Sequence, residues 1–98
     1  MASKKCPPGQ FTLLYFAAAS SYTQKQSEWL PAPVSATELF NELEKRYVGI
    51  KENILDSSAM TVNLEYVDLE EEAAKPAASR RTIVEGDEVA IIPPVSSG

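Results

Sequence analysis

Residues 35–47 carry the clearest local signal in this sequence, which is a single amphipathic helix. Ser35 is a favourable N-cap, and Glu38 follows it at the spacing of a capping box. From about Ala36 to Tyr47, the apolar side chains recur on one side of the predicted helix, at Leu39, Phe40, Leu43 and Tyr47. Such a helix has to bury its apolar side, so the rest of the chain must supply a core against which it packs.

The other patterned segments predict β-strands. Residues 11–17 are rich in aromatic and branched side chains, and residues 60–65 alternate between apolar and polar. In chain order, strands are predicted at residues 11–17, 24–30, 60–65, 82–84 and 88–92, and residues 66–67 either continue the strand at 60–65 or begin another short strand. The chain is therefore expected to be an α+β protein, a mixed sheet of about five strands packed on one main helix, and this order of elements suits the β-grasp fold.

One face of this sheet has no obvious cover. A core between helix and sheet is predicted to contain Leu39, Phe40, Leu43, Val62, Leu64 and Val89. The first and last strands are apolar on both faces, whereas one main helix can cover only one of them. The second face, carrying either Leu14 and Phe16 or the alternate residues, is free to meet a partner, unless loops or a short helical turn at residues 50–55 cover it.

Charge and residue content exclude several classes of function. Nine Lys and Arg residues against 14 Asp and Glu residues give a net charge of −5, which argues against binding to nucleic acid and favours a basic docking surface on a protein partner. The chain has no histidine and one cysteine, Cys6. It therefore lacks the residues for an imidazole base, a Cys–His pair or a zinc cluster, so no metal site is expected.

Length and flanking segments predict one domain with two extensions. At 98 residues the chain has room for one compact fold, expected over residues 11–92. Residues 1–10 predict a flexible arm in which Cys6 is either a reactive thiol or, more simply, a spectator. Residues 70–81 break all periodicity and predict a mobile acidic loop.

No signal peptide or membrane span is apparent, and a single cysteine suits a reducing compartment, so a cytosolic protein is expected.

The last six residues form a separate tail, Pro93-Pro94-Val95-Ser96-Ser97-Gly98. The two prolines cannot extend a sheet ladder, so the tail is expected to leave the last strand as an extended segment with a reach of roughly 20 Å at most. A glycine at its end has no Cβ, and its carboxylate could enter a narrow channel. The residues by themselves also allow a frayed terminus with no chemical role.

Three segments resemble the small, sulfur-carrying subunits of molybdopterin synthase, a family with the β-grasp fold. The strongest is Glu85 to Val95, where a turn, an apolar strand and Pro-Pro-Val follow in order; residues 13–17 and 62–67 resemble the family's opening and central strands. The resemblance implies that a ubiquitin-activating-like enzyme uses ATP to adenylate the Gly98 carboxylate. Sulfur transfer then makes a thiocarboxylate, which donates sulfur to the pterin precursor of the molybdenum cofactor.

The resemblance also implies partners. The large synthase subunit would receive the tail, in an assembly of two small and two large subunits, and no cofactor would be bound permanently. The chain would be a sulfur-donating subunit and not a self-sufficient enzyme. Its expected interface residues are Leu14, Phe16, Glu88 and Ile92.

Three departures from the family leave questions open. Ser97 replaces the usual penultimate glycine, Ser20-Ser21 replaces a common Arg-Glu pair, and residues 70–81 form an insertion. Other readings are a ubiquitin-related modifier or tRNA-thiolation carrier, a thiamine-pathway carrier, and a β-grasp module that only binds. The diproline tail argues against the modifier and against the thiamine-pathway carrier, which usually lacks it, and a module that only binds would not need an exposed terminal glycine.

Overall fold

The computed structural model describes residues 6–94. The strands are β1 (Gln10–Tyr15), β2 (Ser27–Pro31), β3 (Val34–Ser35), β4 (Ala59–Val62), β5 (Glu65–Val67), β6 (Thr82–Ile83) and β7 (Glu88–Ile92). The helices are α1 (Ala18–Thr23), α2 (Ala36–Arg46), α3 (Ile50–Asn53) and α4 (Leu69–Ala74), with 3₁₀ turns at Leu55–Ser57 and Ala77–Ser79.

Five strands form one mixed sheet in the order β2-β1-β7-β4-β5. The central strands β1 and β7 run parallel, with Leu13 opposite Val89, and the other neighbours are antiparallel. A second, two-stranded sheet joins β3 to β6. The main helix α2 lies against one face of the large sheet and buries Leu39 and Leu43 in the same core as Val62 and Val89. This architecture confirms the predicted α+β, β-grasp class.

The start of α2 is not capped as the sequence suggests. The Ser35 hydroxyl pairs with Thr37 Oγ1 at 2.9 Å, and no side chain caps the helix. Ser35 belongs to β3, where it is paired with Thr82, and the main-chain N–H of Ala36 donates to the Arg81 carbonyl at 3.0 Å. The ladder with β6 thus replaces the capping box, and the helix ends one residue earlier than predicted, at Arg46.

The opening hairpin is also built differently. Residues 20–23, which lie between the first two predicted strands, belong to helix α1, in which Thr23 Oγ1 donates to the Ala19 carbonyl at 3.0 Å. Gln24 follows in a left-handed conformation with φ 62° and ends the helix. Strand β2 therefore begins at Ser27 and not at residue 24.

The strand predicted at residues 60–65 is wrong, because a turn divides it. Asn63 and Leu64 form the two-residue connection between β4 and β5, where Val62 pairs with Glu65. Both turn residues have positive φ, 51° and 73°, as a type I′ hairpin turn requires. Leu64 is 87% exposed, so its assignment to the core is wrong, whereas the other five predicted core residues are buried.

The predicted loop at 70–81 is wrong in its first half, where helix α4 extends to Ala74. The Asp68 carboxylate accepts the Glu71 N–H at 3.1 Å and caps helix α4. Within α4, Glu72 is nearly buried and accepts the Arg81 N–H at 2.7 Å and the Lys75 ammonium at 2.9 Å. These hydrogen bonds stabilise a segment that buries little apolar surface. The acidic composition of the segment predicted a loop because it does not reveal such bonds.

Candidate functional site

The second face of the large sheet carries an apolar groove. Leu14 and Thr61 both lie beside Ala90 in the strand register, on the face opposite Leu13, Val89 and Val62. Ala90 and Thr61 form its nearly buried floor, and Phe16, Tyr66 and Leu64 rise around it with 47%, 75% and 87% of their surfaces exposed. Such a concentration of exposed large apolar side chains on one face is typical of a protein-binding surface.

The groove has a volume of about 250 Å³. Its walls are formed by Leu14, Phe16, Thr61, Leu64, Tyr66, Glu88, Ala90 and Ile92. The structure thus brings together all four residues predicted for a partner interface, Leu14, Phe16, Glu88 and Ile92. Their contact with a partner stays a prediction.

No helix of residues 6–94 covers this groove. The short helical turn predicted at residues 50–55 as a possible cover instead buries Ile50 and Leu55 in the core with α2. Among residues 6–94, the face is therefore open, as the surplus of apolar residues on β1 and β7 suggested.

Sequence reasoning missed Tyr66 and Leu64 as members of this surface. Tyr66 lies opposite Thr61 and so shares its face, but this register depends on the two-residue turn at Asn63-Leu64. No Asn-Gly or Asp-Gly pair marks that turn, and the alternation of residues 60–65 continues through it. A period-two pattern does not reveal a turn that preserves the alternation, and Asn63 without a following glycine is a weaker turn signal than an Asn-Gly pair.

The end of β7 leads from the groove towards the predicted tail. The Phe16 N–H donates to the Ile91 carbonyl at 3.2 Å, and Ile92 lies opposite Ala59, so β1 and β4 hold this end on both sides. Pro93 is buried and Pro94 is exposed. The remaining predicted tail residues, Val95, Ser96, Ser97 and Gly98, lie outside the described residues.

Two turns at the other end of the groove are joined through Asn63. Its Nδ2 donates to Asp87 Oδ1 at 3.0 Å, and its Oδ1 accepts the Glu88 N–H at 2.9 Å. The other Asp87 carboxylate oxygen accepts the Val84 N–H at 2.9 Å within the turn that Gly86 allows through its φ of 85°. These bonds fix the β4-β5 turn relative to Glu88.

A polar cluster on the core side of the sheet has a structural explanation. Glu28 on β2 accepts hydrogen bonds from the hydroxyls of Tyr15 and Tyr47, and Lys25 pairs with its other oxygen at 3.2 Å. Burial, and then the Glu28 carboxylate, raise the pKa of Tyr15, which keeps its hydroxyl protonated as a donor. Burial opposes ionisation of Glu28, but its three donors together hold the Glu28 pKa below the ordinary value. The cluster ties β1 and β2 to the end of α2.

Among residues 6–94, no group of three or more His, Cys, Asp or Glu side chains is placed to hold a metal ion. In the same part of the chain no helix is long and apolar enough to cross a membrane.

The sheet order, the single main helix and the open groove define a β-grasp domain. A model of the ThiS family matches residues 13–98, and the chain belongs to this family. It is 62% identical to the molybdopterin synthase sulfur carrier subunit of Phaeosphaeria nodorum over 98 residues, which is the whole of both chains. It is 32% identical to the human protein of the same name over 94 residues, covering 94% of this chain and 98% of that protein.

Solved structures agree on the fold. SAMP1 from Haloferax volcanii superposes with a TM-score of 0.70 at 17% identity, covering 92% of this chain and all of that one. A complex of subunits 1 and 2 of the molybdopterin-converting factor from Helicobacter pylori contains a chain that matches with a TM-score of 0.56 at 18% identity, covering 91% and 99% of the two chains. At these identities the likeness concerns the fold alone.

Proposed function

We propose that this chain is the sulfur carrier subunit of a molybdopterin synthase and that Gly98 carries the sulfur. The observation that supports this most directly is that the groove and the C-terminal tail are continuous along the chain. The apolar groove ends at Ile92, and the chain passes from there through Pro93 and Pro94 towards Gly98. A partner seated in the groove is therefore within reach of the tail, because the four residues after Pro94 span at most roughly 14 Å.

The proposed chemistry has three steps. A Gly98 carboxylate oxygen attacks the α-phosphorus of ATP on an activating enzyme, and pyrophosphate leaves. A sulfide-level sulfur donor then attacks the carbonyl carbon of the acyl adenylate, AMP leaves, and a thiocarboxylate results. In the synthase, the thiocarboxylate sulfur attacks a carbon of the pterin precursor and displaces an oxygen leaving group, and water then cleaves the acyl C–S bond, so that the sulfur stays on the pterin and Gly98 returns to a carboxylate. Each step uses only the terminal carboxyl group of this chain.

The partner in the last step is proposed to be a large synthase subunit, with two copies of each subunit in the assembly. The groove offers that partner apolar side chains at Phe16, Tyr66 and Ile92 and one carboxylate at Glu88. The net charge of −5 suits a partner with a basic rim around an apolar surface. The activating enzyme would use part of the same face, and the whole cycle is proposed to run in the cytosol.

A ubiquitin-related modifier is the second candidate, because SAMP1 from Haloferax volcanii, a small archaeal modifier protein, has the same fold. A modifier would join its terminal glycine to a lysine of a target protein, whereas a carrier releases sulfur and is recovered unchanged. The two functions differ in the chemical fate of Gly98, and both are compatible with the same sheet structure.

Intact-mass analysis tests the proposal. The full chain is incubated with ATP, a sulfide donor and the activating enzyme, and its mass is followed before and after addition of the large subunit and the pterin precursor. A carrier exchanges one carboxyl oxygen for sulfur and then reverts as the pterin gains sulfur. A stable covalent adduct with a second protein, or no change at Gly98, would contradict the proposal.

A further inference from the structure

Leu64 occupies a backbone conformation that disfavours its side chain. It is the second residue of the two-residue turn between β4 and β5, with φ 73°, a position for which glycine is preferred. Asn63, the first residue, tolerates positive φ because its short polar side chain can bond locally, and it does so with Asp87. The side chain of Leu64 has no polar group, so it cannot compensate for this backbone conformation by forming a local hydrogen bond.

Packing within the chain does not explain the leucine either. Its side chain is 87% exposed, the largest exposed fraction among the large apolar residues that the structure describes. It lies on the wall of the groove together with Tyr66 and Glu88. Strained backbone and exposed apolar surface are both unfavourable to the free protein, and residues that combine them are concentrated at functional sites.

We propose that Leu64 is a recognition residue for the large synthase subunit, which receives it in an apolar pocket beside a basic group that faces Glu88. This inference rests on the proposed function and adds a contact that the tail and the residues Phe16 and Ile92 do not supply. Asn63 acts as its positioning residue, because its hydrogen bonds to Asp87 and to the Glu88 N–H fix the turn that presents the leucine.

Two features of the structure favour this partner as the occupant. Leu64 and Ile92 line opposite ends of the same groove, so a protein that fills the groove and receives Gly98 at its Ile92 end contacts the leucine at the other end. Charge complementarity is the second feature: Glu88 is exposed and carries the only charged side chain among the described residues that line the groove. A basic group on the partner would therefore meet an available carboxylate.

The test separates recognition from folding. Leu64→Asn removes the apolar side chain and places at this position a residue that tolerates positive φ. Thermal unfolding of the full-length variant should show unchanged or increased stability, while its Kd for the purified large subunit rises at least about tenfold, the loss expected for one buried leucine. Leu64→Met, which keeps an apolar side chain of similar volume, should stay within about threefold of the parent Kd.

Val48→Asn is the matched control, since Val48 is 81% exposed and does not line the groove. It should leave the Kd unchanged. An unaltered Kd for Leu64→Asn, or a weakened Kd accompanied by a clear loss of thermal stability, would overturn the inference. Intact-mass charging of the parent chain is measured in parallel: a parent that never gains sulfur refutes the proposed function, whereas a charged parent with an indifferent Leu64→Asn variant refutes only the role of Leu64.

Discussion

The Asn63 amide donates to the Asp87 carboxylate across 3.0 Å, which joins the β4-β5 turn to the turn that precedes β7. Since the same amide also accepts the Glu88 N–H, Asn63→Ala removes two hydrogen bonds and leaves one main-chain donor to water. We expect a loss of about 1–2 kcal/mol in the free energy of unfolding, measured by urea denaturation. Asn41→Ala on the exposed side of α2 serves as control, with an expected change within about 0.5 kcal/mol. Equal stabilities of the two variants would contradict the bridging role.

Leu43 tests the core. It is fully buried on the side of α2 that faces the sheet. Leu43→Ala should lower the free energy of unfolding by about 2–5 kcal/mol, because it removes a buried side chain and leaves a cavity. Denaturant unfolding measures this directly. A loss below about half a kcal/mol would be incompatible with the packing of α2 described above.

How much of this molecule the sequence predicts depends on which interactions define each part. The 3.6-residue period of α2 and the apolar run of β7 are local patterns, so both elements were predicted within one residue. The hairpin turn at Leu64 and helix α4 were not, because each depends on contacts with residues far along the chain. The Asp87 carboxylate accepts a hydrogen bond from Asn63 in the β4-β5 turn, and the Arg81 N–H donates to the Glu72 carboxylate in α4.

The same distinction applies to the candidate site. Leu14, Phe16, Glu88 and Ile92 could be assigned to one surface because they alternate along two strands that the pattern already indicated. Tyr66 and Leu64 reach that surface only through the register of β4 with β5. The reactive role of Gly98 came from resemblance, since a small residue after two prolines is equally typical of a frayed end.

Phe16 tests the docking surface. It is 47% exposed on the groove wall, so Phe16→Glu should weaken binding to the large subunit far more than it destabilises the fold. We expect a rise in Kd of at least about tenfold by calorimetry, with a nearly unchanged melting temperature. Val48→Glu places the same charge on an exposed apolar position outside the groove and should bind normally. Retained affinity in Phe16→Glu would exclude this face as the interface.

The hydrogen bonds accepted by the Glu44 carboxylate predict that the stability of the fold depends on pH. Its carboxylate accepts the N–H of Gly49 at 2.8 Å and that of Lys51 at 2.9 Å, and the Gly49 bond foremost lowers the Glu44 pKa below 4.5, the ordinary value. A lowered folded-state pKa means that this stabilisation is fully present above pH 4.5 and is lost as the pH falls through the lowered value.

Thermal unfolding of Glu44→Gln across the acid range checks this prediction. The variant should be less stable than the parent at neutral pH, and the difference should shrink as the pH falls below the ordinary glutamate value. Glu42→Gln, on the exposed side of α2, provides the comparison. A difference between parent and Glu44→Gln that is constant with pH would contradict the assigned hydrogen bonds.

The central claim is that the Gly98 carboxyl group carries the sulfur, and one added residue tests it most directly. Appending a single residue after Gly98 moves the terminal carboxyl by about 3.3–3.6 Å, and a misplacement of about 1 Å at a reacting centre can cost on the order of a hundredfold in rate. Intact mass after charging, followed by pterin-product formation with the large subunit, is measured for the parent, the extended variant and a Gly98 deletion. Both altered chains should fold and bind the large subunit but fail to form a thiocarboxylate or product, whereas Ser97→Gly should match the parent. An extended variant that transfers sulfur as fast as the parent would contradict the account.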